Sequence, residues 1–118
     1  MFVKIPEKIR RNAENLEKAF ELYKQAAASN MPVPLVGLGT LYLEGTGTPK
    51  NPRKAVDLFQ QAAKLGDAQA KYELGVCYLD GLGGLPQDRQ KAISLISEAA
   101  AANIEDAKTV LEQLQSAD

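Results

Sequence analysis

Apolar residues recur along this chain at helical intervals, and they do so in two kinds of segment that alternate. In the first kind, Leu38, Leu41 and Tyr42 form an i, i+3, i+4 seam that returns as Leu74, Cys77 and Tyr78. In the second, Ala55, Leu58, Phe59, Ala62 and Ala63 fall at i, i+3, i+4, i+7 and i+8. That is one apolar stripe on a helix, with polar residues on the opposite side. No stretch alternates apolar and polar residues as a half-buried strand does. The pattern predicts about six main helices and no sheet.

The segments are copies of one another. LGTLYLEGTG from Leu38 and LGVCYLDGLG from Leu74 match at an offset of 36, with glycine at three shared places. KAFELYKQAA from Lys18, KAVDLFQQAA from Lys54 and KAISLISEAA from Lys91 are three versions of the second segment. The first two lie 36 apart and the last two 37 apart, so the loop GLGGLPQ holds one residue more than GTGTPK. Self-similarity at such a period is the mark of a repeat architecture, and insertions in it fall in loops.

Helix ends are written beside the stripes. Asn15, Asn51 and Asp88 stand at matching positions ahead of the second segment, where an Asn or Asp side chain caps free amides. Pro52 follows Asn51 as a first-turn proline. Gly45 and Gly81 end the first segment, and Gly47 and Gly83 let the loop turn back so that the next helix lies antiparallel. Gly39 and Gly75 sit inside a helix, where glycine costs about 0.5–1 kcal/mol relative to alanine. Their expected reason is close approach of the partner helix backbone, faced by the small pairs Ala26-Ala27, Ala62-Ala63 and Ala99-Ala100. GTGTPK is not a phosphate loop: it lacks a preceding strand and the full glycine–lysine spacing.

The pattern LG-x-x-Y-x-x-G-x-G, a loop with Asn or Asp, then KA-x-x-x-x-x-x-AA resembles the Sel-one-like repeat (SLR), a relative of the tetratricopeptide repeat. The resemblance covers about residues 15–116. It implies an all-α fold, an α/α superhelix: a right-handed solenoid of antiparallel helix pairs, here about two and a half repeats plus a C-terminal capping helix. It also implies a non-enzymatic adaptor or scaffold that gathers other proteins. The expected division is a single helical-repeat domain over 1–118, with an N-terminal segment 1–14, a half repeat 15–29, repeats 33–66 and 69–103, and a capping helix 105–116. Two features depart from the family pattern. Many bacterial members carry a cysteine pair in each repeat, which this chain lacks. Pro34 stands where Ala70 stands one repeat later, so the helix holding Leu38 is expected to begin a turn late.

Composition removes several function classes. The chain has 118 residues, 45% hydrophobic and 25% charged, with a formal net charge of −1, which gives no general pull toward nucleic acid or anionic membrane. No apolar run of about 18 residues or more is present to span a bilayer, and the N-terminal stretch does not read as a signal peptide. With one cysteine and no histidine, an internal disulfide and the usual zinc sites are excluded, and so is the commonest general base. The expectation is a cytoplasmic protein that is not an enzyme, with no catalytic residue, metal or cofactor. Cys77 is expected to be a buried small hydrophobe, since Leu41 holds its place one repeat earlier. Lys4, Lys8, Arg10 and Arg11 read as a solvated segment.

The remaining candidate is the inner surface of the stack. If the first helix of each pair lines the concave side, as in the related repeats, a groove is built from Val36, Thr40, Leu43 and Glu44, then Gln69, Tyr72, Val76, Leu79 and Asp80. The last helix adds Asp106, Thr109 and Gln113. Its mixture of apolar and acidic groups suits a protein or peptide with hydrophobic anchors and a Lys or Arg, Tyr72 being the main anchor. The alternative is a structural spacer or self-association segment of a larger regulatory protein. The chain by itself is expected to be monomeric, because Glu112 and Gln115 stand where glycine and tyrosine are due and give the last helix a polar outer surface.

Overall fold

The computed structural model describes residues 6–116. Six helices run in order: α1 (Glu7–Ala27), α2 (Pro32–Glu44), α3 (Pro52–Lys64), α4 (Ala68–Asp80), α5 (Arg89–Ala101) and α6 (Glu105–Ser116). Among the described residues there is no strand. α2 and α4 are the Leu-Gly-Tyr segments and α6 holds the same place in the alternation without the glycine and tyrosine; these are hereafter A helices, and the odd-numbered ones, which carry the KA stripe, are B helices. α2 pairs with α3 and α4 with α5, while α1, α3 and α5 each also pack on the A helix that follows. Such a nearest-neighbour stack is elongated, at 55 × 33 × 26 Å. Its radius of gyration of 16.4 Å exceeds the roughly 13.5 Å of a compact chain of this length.

Within a repeat, the two helices are tied at the turn as well as through the core. Gly45 and Gly81 take the left-handed conformation, with φ of 71° and 66°, and close the A helix. Asn51 then donates its backbone N–H to the Tyr42 carbonyl at 2.7 Å, and Asp88 does the same to Tyr78 at 3.0 Å. Each also accepts a capping bond at its side chain, from the backbone amides of Lys54 and Lys91. Gly47 and Gly83 do more than turn the loop. A Cβ on Gly83 would lie 2.6 Å from the Pro52 carbonyl oxygen, and one on Gly47 would meet the equivalent carbonyl, that of Leu16. The loop of one repeat therefore rests on the backbone of the preceding B helix.

The core follows the stripes. Ala55, Phe59, Ala62, Ala70, Cys77, Ala92, Ile96, Ala99 and Ala107 are fully buried. The partner of the helix glycines is not the alanine surface expected of it. A Cβ on Gly39 would stand 2.6 Å from the Phe59 ring, and one on Gly75 would stand 2.7 Å from Ile96 Cγ1. Each A helix thus offers a hole and its B helix fills it with a large side chain. For Gly75 the B-helix backbone is also near, since the Ala92 carbonyl oxygen would be 3.2 Å away.

Two expectations about helix starts need correction. Asn15 does not cap a helix: α1 begins at Glu7 and runs unbroken through Asn15 for 21 residues. Residues 7–14, taken above as a separate segment, continue the helix, and of the basic stretch Lys8, Arg10 and Arg11 lie on it, Lys4 falling outside the described residues. Nor does α2 begin late. It has the same 13 residues as α4, with Pro32 and Pro34 both in its first turn, where a missing N–H breaks no intrahelical bond.

Candidate protein-interaction surface

The A helices approach one another. α2 touches α4, whereas α3 and α5 share no comparable contact. The twelve expected surface residues all lie on α2, α4 and α6, and none is buried: Glu44, Asp80, Asp106, Thr109 and Gln113 are exposed, and Val36, Thr40, Leu43, Gln69, Tyr72, Val76 and Leu79 are half-buried. Their side chains are not equally free. Val36, Leu43, Tyr72 and Leu79 pack in part against the core. Thr40 and Thr109 donate their hydroxyls back to the Val36 and Glu105 carbonyls of their own helices, at 3.0 and 3.2 Å.

Electrostatics identify which of them stand together. Burial raises the Tyr72 hydroxyl above its ordinary pKa, and the charges of Asp106 and Glu73 add to the effect. Glu73 is raised too, by burial first, with Asp106 and Glu44 pushing the same way against a hydrogen bond from Gln69 Nε2 at 3.1 Å. Glu44 of α2 and Asp106 of α6 therefore both act on Glu73 of α4, and Asp106 and Glu73 both act on Tyr72. Glu73 was not among the expected residues. Its signal was available in the sequence: it lies four residues after Gln69, on the same side of one helix.

Cys77 has no part in this face. It is fully buried, and burial, followed by the charges of Glu73 and Asp80, pushes its thiol up to about 11. The thiolate that nucleophilic or metal chemistry requires is suppressed at neutral pH. Among the described residues no group of three or more His, Cys, Asp or Glu side chains is placed to hold a metal ion, and no helix is long and apolar enough to cross a membrane.

A second feature escaped the sequence reading. Lys54 Nζ lies 5.3 Å from the centroid of the Tyr42 ring, and Lys91 Nζ lies 5.1 Å from that of Tyr78. In both complete repeats the lysine of the KA pair thus stands over the tyrosine of its own A helix. Beside the second pair, a cavity of about 380 Å³ opens between α3, α4 and α5, where Lys64, Lys71 and Lys91 surround Leu74 and Tyr78.

Comparison with known proteins agrees with this geometry. The Sel1 repeat model matches residues 9–31, 35–67 and 68–104. A Sel1 repeat protein from Oxalobacter formigenes is 34% identical over 83% of this chain, with a TM-score of 0.75. The protective antigen c5321 of uropathogenic Escherichia coli, which displays an SLR fold, is 30% identical over 73%, with a TM-score of 0.69. The chain spans only 28% and 18% of the lengths of these two proteins. Helicobacter pylori cysteine rich protein B shares the fold, with a TM-score of 0.70 at 22% identity, over 87% of this chain and 91% of its own. No curated protein matches the chain. Sel1 repeats form non-catalytic scaffolds that generally serve protein–protein interaction. With three matched segments that take in most of its length, the chain belongs to the Sel1 repeat family.

Proposed function

We propose that the chain is a non-enzymatic interaction module whose α2–α4–α6 face receives a peptide segment of a protein partner. The observation that carries this reading is the convergence of charge on α4: Asp106 of α6 and Glu44 of α2 both act on Glu73, and Asp106 and Glu73 both act on the half-buried Tyr72. A Lys or Arg of the partner would relieve the crowding of charge at Glu73, whose proton affinity Asp106 and Glu44 now raise, and its apolar neighbours would cover Tyr72 and Leu79. Exposed charges act mainly on association and its salt dependence, while the aromatic anchor acts on dissociation.

Selection from a random peptide library against the intact protein tests the proposal. The expected ligands hold a basic residue beside apolar ones. Glu73→Lys with Asp106→Lys should slow their association and flatten its dependence on salt, and Tyr72→Ala should speed their dissociation. If ligands bind both variants with unchanged rates, the face is not the site.

A further inference from the structure

The lysine-rimmed cavity between α3, α4 and α5 has a counterpart one repeat earlier, between α1, α2 and α3. That earlier cavity holds about 260 Å³, and its lining includes Lys24, Leu38, Tyr42, Lys54, Asp57 and Leu58. Leu74, Tyr78, Lys91 and Leu95 of the later cavity repeat Leu38, Tyr42, Lys54 and Leu58. The apolar floor and the lysine over the tyrosine ring therefore belong to the repeat. The rest of the charge does not. Asp57 offsets one of the two lysines in the earlier cavity, and Ser94 stands in its place in the later one. Ala28 and Leu35 stand one repeat before Lys64 and Lys71. The later cavity is thus lined by three lysines and no carboxylate, in a chain whose formal net charge is −1. Lys64 is exposed and makes no ion pair among the described residues. Lys71 reaches a single carboxylate, that of Glu98 outside the cavity lining, at 3.9 Å, and the Glu98 side chain is 56% exposed, so that pair is weak.

We propose that this cavity binds an acidic segment of a protein partner, with an apolar side chain set against Leu74, Tyr78 and Leu95 and flanking carboxylates held by Lys64, Lys71 and Lys91. Charge complementarity makes the ligand an anion, and the apolar floor requires an apolar group beside its charge. The recurrence of the cavity makes that ligand a peptide. Both cavities lie in the cleft between successive B helices, which do not pack on one another, so an extended segment can cross from one to the next and needs its acidic residues at the second. The site is separate from the α2–α4–α6 face, because by helical phase Lys71, Leu74 and Tyr78 occupy the side of α4 opposite to Tyr72, Val76 and Asp80. The proposal does not rest on the reading of that face.

The probe is the end-blocked peptide Glu-Phe-Glu-Leu-Glu, titrated into the full chain and followed by backbone amide NMR. Saturable shifts are expected at Lys64, Lys71, Leu74 and Lys91, and added salt should weaken binding. The same peptide with glutamine in place of each glutamate should bind at least tenfold more weakly. Lys64→Gln with Lys71→Gln in the protein should weaken the acidic peptide at least tenfold, whereas Lys8→Gln with Lys50→Gln, which removes equal charge elsewhere, should change binding less than twofold. Lys64→Gln alone, at an exposed position, should weaken binding at least threefold at an unchanged melting temperature. The proposal is overturned by no saturation at millimolar peptide, by equal binding of the glutamine peptide, or by equal losses in the two double variants. Binding of phenylpropionate as tight as that of the peptide would overturn it in favour of a small apolar acid. A wild-type dimer in sedimentation that Lys64→Gln with Lys71→Gln dissolves would overturn it in favour of the acidic face of a second copy. No residue of the α2–α4–α6 face is altered in these variants, so their outcomes leave that reading to its own test.

Discussion

α1 and α3 carry the same stripe at the same intervals, yet one buries it between two A helices and the other leaves half of it in solvent. Phe59 is fully buried, whereas Tyr23, its counterpart, is 42% exposed and rests on Gly37. Lys54 sits over Tyr42, but among the described residues Lys18, its counterpart, has no A-helix tyrosine of its own repeat to cover. The difference teaches that an apolar stripe specifies a helix and its sidedness, while stability comes from what closes over it. The burial of about 1.5–3 kcal/mol per large apolar side chain is realised only where a neighbour is present.

Truncation of the two rings measures the contrast most directly. Phe59→Ala should destabilise the chain by about 3–5 kcal/mol, as for other fully buried aromatics, and Tyr23→Ala by about 1 kcal/mol, both read from urea midpoints. Equal losses would mean that the α1 face is covered in solution. The glycines beneath the rings should diverge next. Gly39→Ala forces a methyl against the enclosed Phe59 ring and should cost about 1–3 kcal/mol despite the gain in helix propensity. Gly37→Ala first meets the half-exposed Tyr23 ring, which can swing toward solvent, so the propensity gain of about 0.5–1 kcal/mol should leave that variant neutral or slightly stabilised.

Helix starts offer a smaller test. Asn51→Ala removes a cap and should cost about 1 kcal/mol, whereas Asn15→Ala, inside α1, should change stability by less than about 0.5 kcal/mol. The smallest effect concerns Glu73, which holds on α4 the position that Gly37 holds on α2. Its carboxyl pKa is raised in the folded chain above the ordinary 4.5, with burial as the leading cause. Between the two values the folded state binds more protons than the unfolded state, so stability falls as pH rises from about 4.5 through that window, and the loss persists above it. Glu73→Gln should flatten this slope and raise the midpoint at neutral pH, as urea titrations at several pH values would reveal.

Much of the fold was legible because a repeat states each feature more than once. Gly45 with Gly81 and Asn51 with Asp88 could be read by comparison within the chain, and the helix ends they mark agree with the structure. The reading failed where analogy replaced local chemistry. Asn15 matches the caps in position, but residues 7–14 are good helix formers with Arg11 paired to Glu7 at 3.0 Å, and no glycine or proline interrupts them before Asn15. Pro34 was taken as an obstacle because its offset was compared with Ala70, without regard to the first-turn amides that need no partner. On the candidate surface, helix phase indicated which residues escape burial. It could not reveal that Glu73 sits within the field of Glu44 and Asp106, since that depends on how three helices separated in sequence are stacked.

The stacking of each helix mainly on its sequence neighbours has a consequence for how the molecule opens. Structural cooperativity here runs mostly between successive helices, and α1 is held to the rest through α2. The stack is therefore built to fray from that end, with α1 able to detach as a unit while the two complete hairpins stay folded. Any ligand that bridges α1 to the hairpin that follows would act as a clamp on that joint, and would raise the protection of the whole array by closing the point from which its unzipping begins.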